Sequence, residues 1–147
     1  RQFLAIPRIA ILGVSRNPNS YSQSILTAFL QQEYQALPVN PNTAEIEGIP
    51  CFASVLDIKP APAAALLLVS EDHLAESTRD CLRAGVRYLW FRHPEKPGSE
   101  TARAAAAARV NDATVISGEC PLMFLPNAGW IHKAHAALAQ LTGHYPR

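Results

Sequence analysis

A short apolar segment followed by a glycine and a polar turn constrains this chain more than any other feature. Residues Ile9 to Leu12 are apolar and partly β-branched, as is typical of a buried strand. Gly13 leads into a turn-forming segment that runs from Ser15 to Ser20. From Ser22 to Glu33 the apolar residues recur at the spacing of one helical face. A strand, a glycine turn and a helix predict the first unit of a nucleotide-binding α/β fold, in which the helix N-terminus can bind an anion.

The glycine turn departs from the fingerprint of NAD-binding proteins. That fingerprint, G-x-G-x-x-G, places glycines at its first, third and sixth positions. Counting from Gly13, the third and sixth positions are Ser15 and Pro18. The acidic residue expected ~20 residues further on, to bind a ribose, is also missing, because the next strand ends in Asn40-Pro-Asn42. An NAD(P)-dependent oxidoreductase is therefore an alternative that the fold allows and the loop disfavours.

Strands and helices alternate along the rest of the chain. This alternation predicts a single Rossmann-like α/β domain, residues 1–147, with a five-stranded parallel sheet and helices on both faces. We expect its core at about residues 8–116 and a C-terminal loop and helix at 117–147. After the first unit, the predicted strands are Gln35–Val39, Ala64–Val69, Arg87–Phe91 and Thr114–Ile116, and the predicted helices are a single turn capped by Ser54, then Ser70 to Gly85, Glu100–Arg109 and Trp130–Thr142.

The carboxyl ends of the predicted strands form the expected ligand site. In open α/β sheets, ligands bind beyond these ends, at the point where the strand order reverses. The rule brings together four segments that are distant in the sequence: Gly13 to Arg16, Asn40 to Asn42, Val69 to Ser70, and Phe91 to His93.

Several segments together resemble the stand-alone CoA-binding domain family, which is similar to the N-terminal domain of the succinyl-CoA synthetase α subunit. They are IAILGVSRNP from Ile9, PVNP from Pro38, GIPCFAS from Gly48, and Asp57-Ile58. The resemblance covers about Ile9 to Leu89. It implies that the chain binds coenzyme A or an acyl-CoA, with a Gly-x-Ser-Arg loop cradling the pyrophosphate.

The resemblance also implies which residues bind the cofactor. They belong to the phosphate loop, to the start of the helix after it, to the adenosine-binding end of the second strand and to the end of the third strand. They are Gly13, Val14, Ser15, Arg16, Asn17, Pro18, Tyr21, Ser22, Asn40, Pro41, Asn42, Val69 and Ser70. The family often has a lysine where this chain has Asn42, and an aromatic–arginine pair where this chain has Ser70-Glu71-Asp72.

The resemblance implies that the chain is a binding module without catalytic residues or a metal site. The synthetase needs a phosphorylated histidine and a nucleotide-grasp subunit, for which 147 residues leave no room. An enzyme partner encoded elsewhere is therefore one expectation. The apolar stretch Leu122 to Leu125 suits either a homodimer face or the core. A further alternative is an interaction protein that binds no ligand and presents the surface from Phe124 to Trp130.

The cysteines are odd in number and widely spaced, which favours reduced thiols in a cytoplasmic protein. They are Cys51, Cys81 and Cys120. One alternative is a small thiol enzyme, in which Cys120 would be the nucleophile and His93 or His132 the base. Another alternative is a zinc site, in which Cys120, His132 and His135 would be the ligands. Structural roles for these side chains are the simpler interpretation.

Charge and hydropathy exclude several classes of partner. The net charge of +1 gives no reason to expect nucleic acid or an anionic membrane. The longest apolar run, Ala61 to Val69, contains a proline and is too short to span a bilayer. No segment has the pattern of a signal peptide.

Overall fold

Five parallel strands form the central sheet in the computed structural model, which describes residues 8–32, 34–62 and 64–118. The sheet has the order β2-β1-β5-β6-β7, and β3 and β4 form a separate hairpin. This architecture confirms the predicted parallel Rossmann-like sheet. The strands are β1 (Arg8–Leu12), β2 (Gln35–Val39), β3 (Glu45–Ile46), β4 (Ile49–Pro50), β5 (Ala64–Leu67), β6 (Tyr88–Phe91) and β7 (Thr114–Ser117), and the helices are α1 (Tyr21–Gln31), α2 (Glu71–Ala84) and α3 (Glu100–Val110).

Helices cover both faces of the sheet. Successive residues of a strand point to opposite faces, so each strand has buried side chains on both sides. Ile11 packs in a buried cluster with Ile25 and Phe29 of α1. The next residue, Leu12, belongs to a second cluster that contains Leu74 of α2 and the buried alanines of α3. Continuous apolar strands are therefore what a sheet covered on both faces requires.

The helix ends follow the capping residues in the sequence. Ser20 accepts a hydrogen bond from the Gln23 backbone nitrogen at 3.2 Å, and Ser99 accepts one from that of Ala102 at 3.0 Å. Gly85 ends α2 with a left-handed conformation, at φ 95°. The predicted cap at Ser54 is confirmed, because its side chain accepts a hydrogen bond from the Leu56 nitrogen, and α1 begins one residue earlier than predicted because Ser20 caps it.

Two details of the strands need the tertiary structure. Pro38 lies inside β2, where it is tolerated because β2 is an edge strand. The segment around Gly48, where the sequence pattern predicts no strand, contains the β3–β4 hairpin. Glu47 and Gly48 have positive φ values of 51° and 81°, as a tight two-residue hairpin turn requires. Glutamate is uncommon in that conformation, so the sequence pattern did not indicate the hairpin.

The predicted C-terminal loop and the helix from Trp130 to Thr142 lie outside the described residues. In the described ranges, no helix combines the length and the apolar character needed to cross a membrane.

The turn after β1 packs directly against the backbone at the carboxyl end of the neighbouring strand β5, just beyond Leu67. A Cβ atom on Gly13 would lie 2.7 Å from the Val69 nitrogen and 2.9 Å from the Leu68 carbonyl carbon. Gly13 also has a φ of 91°, which L-residues rarely adopt. Both observations require glycine here, because any side chain would push β1 and β5 apart.

We expect Gly13→Ala to lower the free energy of unfolding by roughly 3 kcal/mol or more, since it combines backbone strain with overpacking. Gly85→Ala is the matched control, because Gly85 has a similar φ and open space around its Cβ position. That variant should lose only about 1–2 kcal/mol, the cost of the left-handed conformation. Urea unfolding measures both values, and equal losses would contradict the close contact between Gly13 and β5.

An ion pair anchors the loop after β6. The Arg109 guanidinium donates to the two carboxylate oxygens of Glu95 at 2.7 and 2.8 Å. The Ser117 hydroxyl donates to the same carboxylate at 2.6 Å. The hydrogen bond from Arg109 is the main reason that the pKa of Glu95 lies below its ordinary value. The loop is thus attached to the end of α3 and to the end of β7.

Because the pKa of Glu95 is lowered in the folded state, its contribution to stability is present above the unfolded value of about 4.3 and is lost as the pH falls further. We expect Glu95→Gln to lose roughly 0.5–1 kcal/mol of unfolding free energy at pH 7 and nothing at strongly acidic pH. Urea unfolding over this pH range tests it. Glu100→Gln, which breaks an exposed pair with Arg103 within α3, is the control and should show a smaller loss. If the difference in unfolding free energy between wild type and Glu95→Gln stays constant with pH, the lowered pKa of Glu95 does not contribute to stability.

Candidate functional site

A cleft of about 740 Å³ opens at the carboxyl ends of β1, β2 and β5. It lies where the strand order reverses, which is the expected position of a ligand in this type of sheet. Its volume is within the range of about 300–1,000 Å³ found for small-molecule sites. Its lining comes from residues 12–15, 39–42, 53–55 and 68–70, and from His73, Glu76, Ser77 and Asp80 of α2.

Side chains from the start of α1 hold the loop between β1 and α1 in shape. The Ser15 backbone nitrogen donates to the Ser22 hydroxyl at 2.8 Å. The Gln23 side-chain amide donates to the Ser15 carbonyl oxygen at 2.9 Å. The Ser15 hydroxyl in turn accepts from the Asn17 nitrogen at 3.0 Å. Ser22 and Gln23 are both buried, so these bonds fix the loop from inside the protein.

Two backbone N–H groups of this loop, those of Val14 and Arg16, donate to no other group in the part of the chain that the structure describes. Val14 is fully buried, so of these two only the N–H group of exposed Arg16 belongs to a residue that is open to a ligand. The exposed Arg16 guanidinium likewise makes no hydrogen bond or ion pair with any described residue. Such a set of N–H donors beside a helix N-terminus suits an anion, above all a phosphate.

Asn40 joins the end of β2 to the loop. Its side-chain nitrogen donates to the Val14 carbonyl oxygen at 2.8 Å, and its side-chain oxygen accepts from the Asn42 nitrogen at 2.7 Å. The sequence suggested either a ligand contact or a simple turn at this position. The structure shows that the amide organises both the turn and the neighbouring loop.

We expect Asn40→Asp to lower the free energy of unfolding by about 1–3 kcal/mol, because a carboxylate cannot donate to the Val14 carbonyl oxygen. Asn17→Asp is the matched control. Only the side-chain oxygen of Asn17 is used, as an acceptor for the Asn19 nitrogen at 2.9 Å, and aspartate keeps that oxygen. Urea unfolding at pH 7 compares the two variants. An equal effect of both substitutions would mean that the bond to Val14 does not stabilise the loop.

The N-terminus of α2 forms another wall of the cleft. Ser70 precedes the helix, lines the cleft and makes no side-chain capping bond. Glu71 is directed elsewhere, because its carboxylate accepts from the fully buried Thr101 hydroxyl of α3 at 3.1 Å. Neither Glu71 nor Asp72 lines the cleft, and both suit the first turn of a helix electrostatically.

The structure brings most of the predicted site residues together. The predicted residues that line the cleft are Gly13, Val14, Ser15, Asn40, Pro41, Asn42, Val69 and Ser70. The others lie on the outer part of the loop or on the first turn of α1, outside the cleft lining; they are Arg16, Asn17, Pro18, Tyr21 and Ser22.

The segment after β6 contacts the site only at its outer edge. The Arg92 guanidinium carbon lies 4.4 Å from the centre of the Tyr21 ring, in a cation–π contact at the start of α1. Residues Phe91 to His93, which the strand-end rule grouped with the site, do not line the cleft. Arg92 therefore attaches the loop after β6 to the helix that follows the loop between β1 and α1.

The described cysteines lack the properties of nucleophiles. Burial raises the pKa of the Cys81 thiol to about 12, and the nearby Asp80 carboxylate adds to the rise. Burial also raises the pKa of Cys51, although a hydrogen bond to the Asn40 backbone opposes the effect. The thiol-enzyme and zinc alternatives depend on Cys120 with His132 or His135, all outside the described residues.

Sequence reasoning missed one wall of the cleft. Residues 53–55 line it beside the end of β2, where Phe52 pairs with Val39, and Glu76, Ser77 and Asp80 line it from α2. Their only signal in the sequence is that His73, Glu76 and Asp80 recur at helical spacing, a pattern that usually marks a solvent-exposed face. Only the position of α2 beside the short helical turn Val55–Asp57 makes this face part of a cleft.

Residues 7–126 match the family described as CoA binding domain. The chain belongs to this CoA-binding domain family. A curated relative, the ADP-forming acetate–CoA ligase of Methanocaldococcus jannaschii, is 26% identical over 87 residues. This match covers 58% of this chain and 12% of the ligase, so the chain corresponds to only a small part of that enzyme.

Solved structures similar to this CoA-binding domain include two archaeal proteins. A conserved hypothetical protein from Pyrococcus furiosus has a TM-score of 0.69 and 29% identity, and the match covers 79% of this chain and 97% of that one. A hypothetical protein from Pyrococcus horikoshii OT3 has a TM-score of 0.72 and 25% identity, with 82% of both chains covered. The fold therefore occurs in a chain hardly longer than the matched region.

Proposed function

We propose that this chain binds coenzyme A or an acyl-CoA in the cleft, with the pyrophosphate on the loop from Gly13 to Pro18. One observation carries the proposal. The cleft at the reversal of strand order is bordered by a loop in which the backbone N–H group and the guanidinium of exposed Arg16 make no hydrogen bond to any described residue. Membership of the CoA-binding domain family supports coenzyme A as the ligand class.

The chemistry of the loop suits a pyrophosphate. Two adjacent phosphates need several N–H donors and a positive charge, which the loop provides without a metal ion. In folds of this type, residues after the second strand contact the ribose, so the adenosine would lie beside Asn40 to Asn42. The pantetheine would then extend along the other strand ends, toward the loop after β7.

We also propose that the domain has a binding role rather than a catalytic one. The raised pKa values of Cys51 and Cys81 support this, because they keep both thiols protonated at neutral pH. By analogy with the acetate–CoA ligase, whose chain is much longer, an enzyme partner would supply any chemistry. That partner, the homodimer and the cytoplasmic location stay predictions from the sequence.

Calorimetric titration of the nucleotide-free protein with CoA tests the proposal. We expect micromolar binding, and we expect Arg16→Ala to weaken it about tenfold or more, the loss of one charge-assisted hydrogen bond of about 1.5–3 kcal/mol. The control is Arg83→Ala, which removes an exposed arginine near the far end of α2 and should leave the affinity unchanged.

NAD and ATP, titrated in parallel, test the ligand class. The NAD(P) alternative is disfavoured because Ser15 and Pro18 occupy two of its glycine positions. Binding of NAD in the absence of CoA binding would overturn the proposal. Equal CoA affinities of wild type and Arg16→Ala would remove Arg16 from the site.

A further inference from the structure

The charges that line the cleft are all negative apart from one histidine. Glu76 and Asp80 line it along α2, with His73 one turn before them. None of the described residues that line the cleft is a lysine or an arginine. The cleft therefore differs in charge from the adjoining loop, which carries the positive charge of Arg16.

These two carboxylates form no ion pair in the part of the chain that the structure describes. Glu76 is exposed and Asp80 is partly buried. The charge of Asp80 is felt in the interior, because it contributes to the raised pKa of the neighbouring Cys81 thiol. A ligand in the cleft therefore meets two uncompensated negative charges on the wall formed by α2.

The opposite wall is uncharged. It is formed by Asn40, Pro41 and Asn42 after β2, and by Ala53 to Val55. Exposed Asn42 can offer its side-chain amide to a hydroxyl group or to a phosphate, but it supplies no positive charge. No lysine or arginine among the described lining residues offsets the repulsion between the carboxylates of Glu76 and Asp80 and a phosphate bound between the two walls.

In α/β dinucleotide sites, the charge of a side chain after the second strand selects the ribose. In this chain that place holds uncharged Asn42, and the carboxylates that line the cleft lie on α2 instead. A carboxylate accepts hydrogen bonds from the free ribose hydroxyls, whereas an arginine accommodates a ribose phosphate. Coenzyme A carries a phosphate on its ribose 3′ oxygen, and 3′-dephospho-CoA carries a hydroxyl there. The two ligands have the same pyrophosphate and pantetheine, so only the cleft can distinguish them.

We propose that Glu76 and Asp80 make the cleft selective for a pantetheine–adenosine diphosphate ligand with an unphosphorylated ribose, so that 3′-dephospho-CoA binds more tightly than CoA. This inference rests on the proposed function, because it needs the pyrophosphate on the loop and the adenosine in the cleft. It names the ligand class that the site prefers.

Calorimetric titration of the wild-type protein with both ligands tests the selectivity. We expect 3′-dephospho-CoA to bind about tenfold more tightly at low ionic strength, as repulsion between partly solvated charges allows. The ratio should shrink as salt is added, because the charges lie at the protein surface and are screened. The shared pyrophosphate and pantetheine make each ligand the control for the other.

Charge-removing variants test whether the carboxylates are the cause. Glu76→Gln and Asp80→Asn should each strengthen CoA binding relative to 3′-dephospho-CoA and so narrow the ratio. The matched control is Asp112→Asn, which removes one charge from the turn before β7, at the opposite edge of the sheet. Asp112 has a φ of 65°, which asparagine tolerates, so this control should keep the wild-type ratio.

The outcomes separate this inference from the proposed function. If CoA binds as tightly as 3′-dephospho-CoA or more tightly, the inference is wrong and the proposed function stands. An unchanged ratio in both the Glu76 and the Asp80 variants also overturns it. If neither ligand binds, the proposed function itself fails, and the inference fails with it.

Discussion

The contact between the backbone of Gly13 and the backbone of β5 is the constraint on which the site depends. The Gly13 nitrogen donates to the Val39 carbonyl oxygen of β2 at 3.0 Å, and the Leu68 nitrogen donates to the Leu12 carbonyl oxygen at 2.9 Å. The end of β1 is thus held between both of its neighbours. Because a glycine lets the chain turn there without separating the strands, the cleft opens directly at the reversal of strand order.

The loop beyond Gly13 is shaped by the protein and not by a ligand. Ser22 and Gln23 hold it from α1, and Asn40 holds it from β2. A loop that is already ordered loses little conformational entropy when an anion binds. The same bonds leave the N–H group of exposed Arg16 without a partner among the described residues, so the groups that support the loop differ from the group that we propose for ligand binding.

The two parts of the site differ in electrostatics. The loop presents N–H donors and the Arg16 guanidinium, whereas the cleft presents the carboxylates of Glu76 and Asp80. Such a site favours a ligand whose negative charge is concentrated at one end. Membership of the CoA-binding domain family supports coenzyme A as the ligand class, and we propose that the charges of this chain's own residues select among the members of that class.

The sequence by itself determined the fold and the centre of the site. Apolar strands that alternate with helices specify a sheet covered on both faces, and Gly13 with the polar turn after it predicts a loop suited to an anion, because these properties depend on local patterns. Only the tertiary structure decided that Ser22 supports the loop, that Arg92 stacks on Tyr21, and that residues 53–55 face α2. The polar face of α2 looked like a solvent-exposed surface in the sequence. It becomes a wall of the cleft because crossover packing brings together residues that are distant along the chain, and a local pattern carries no record of that packing.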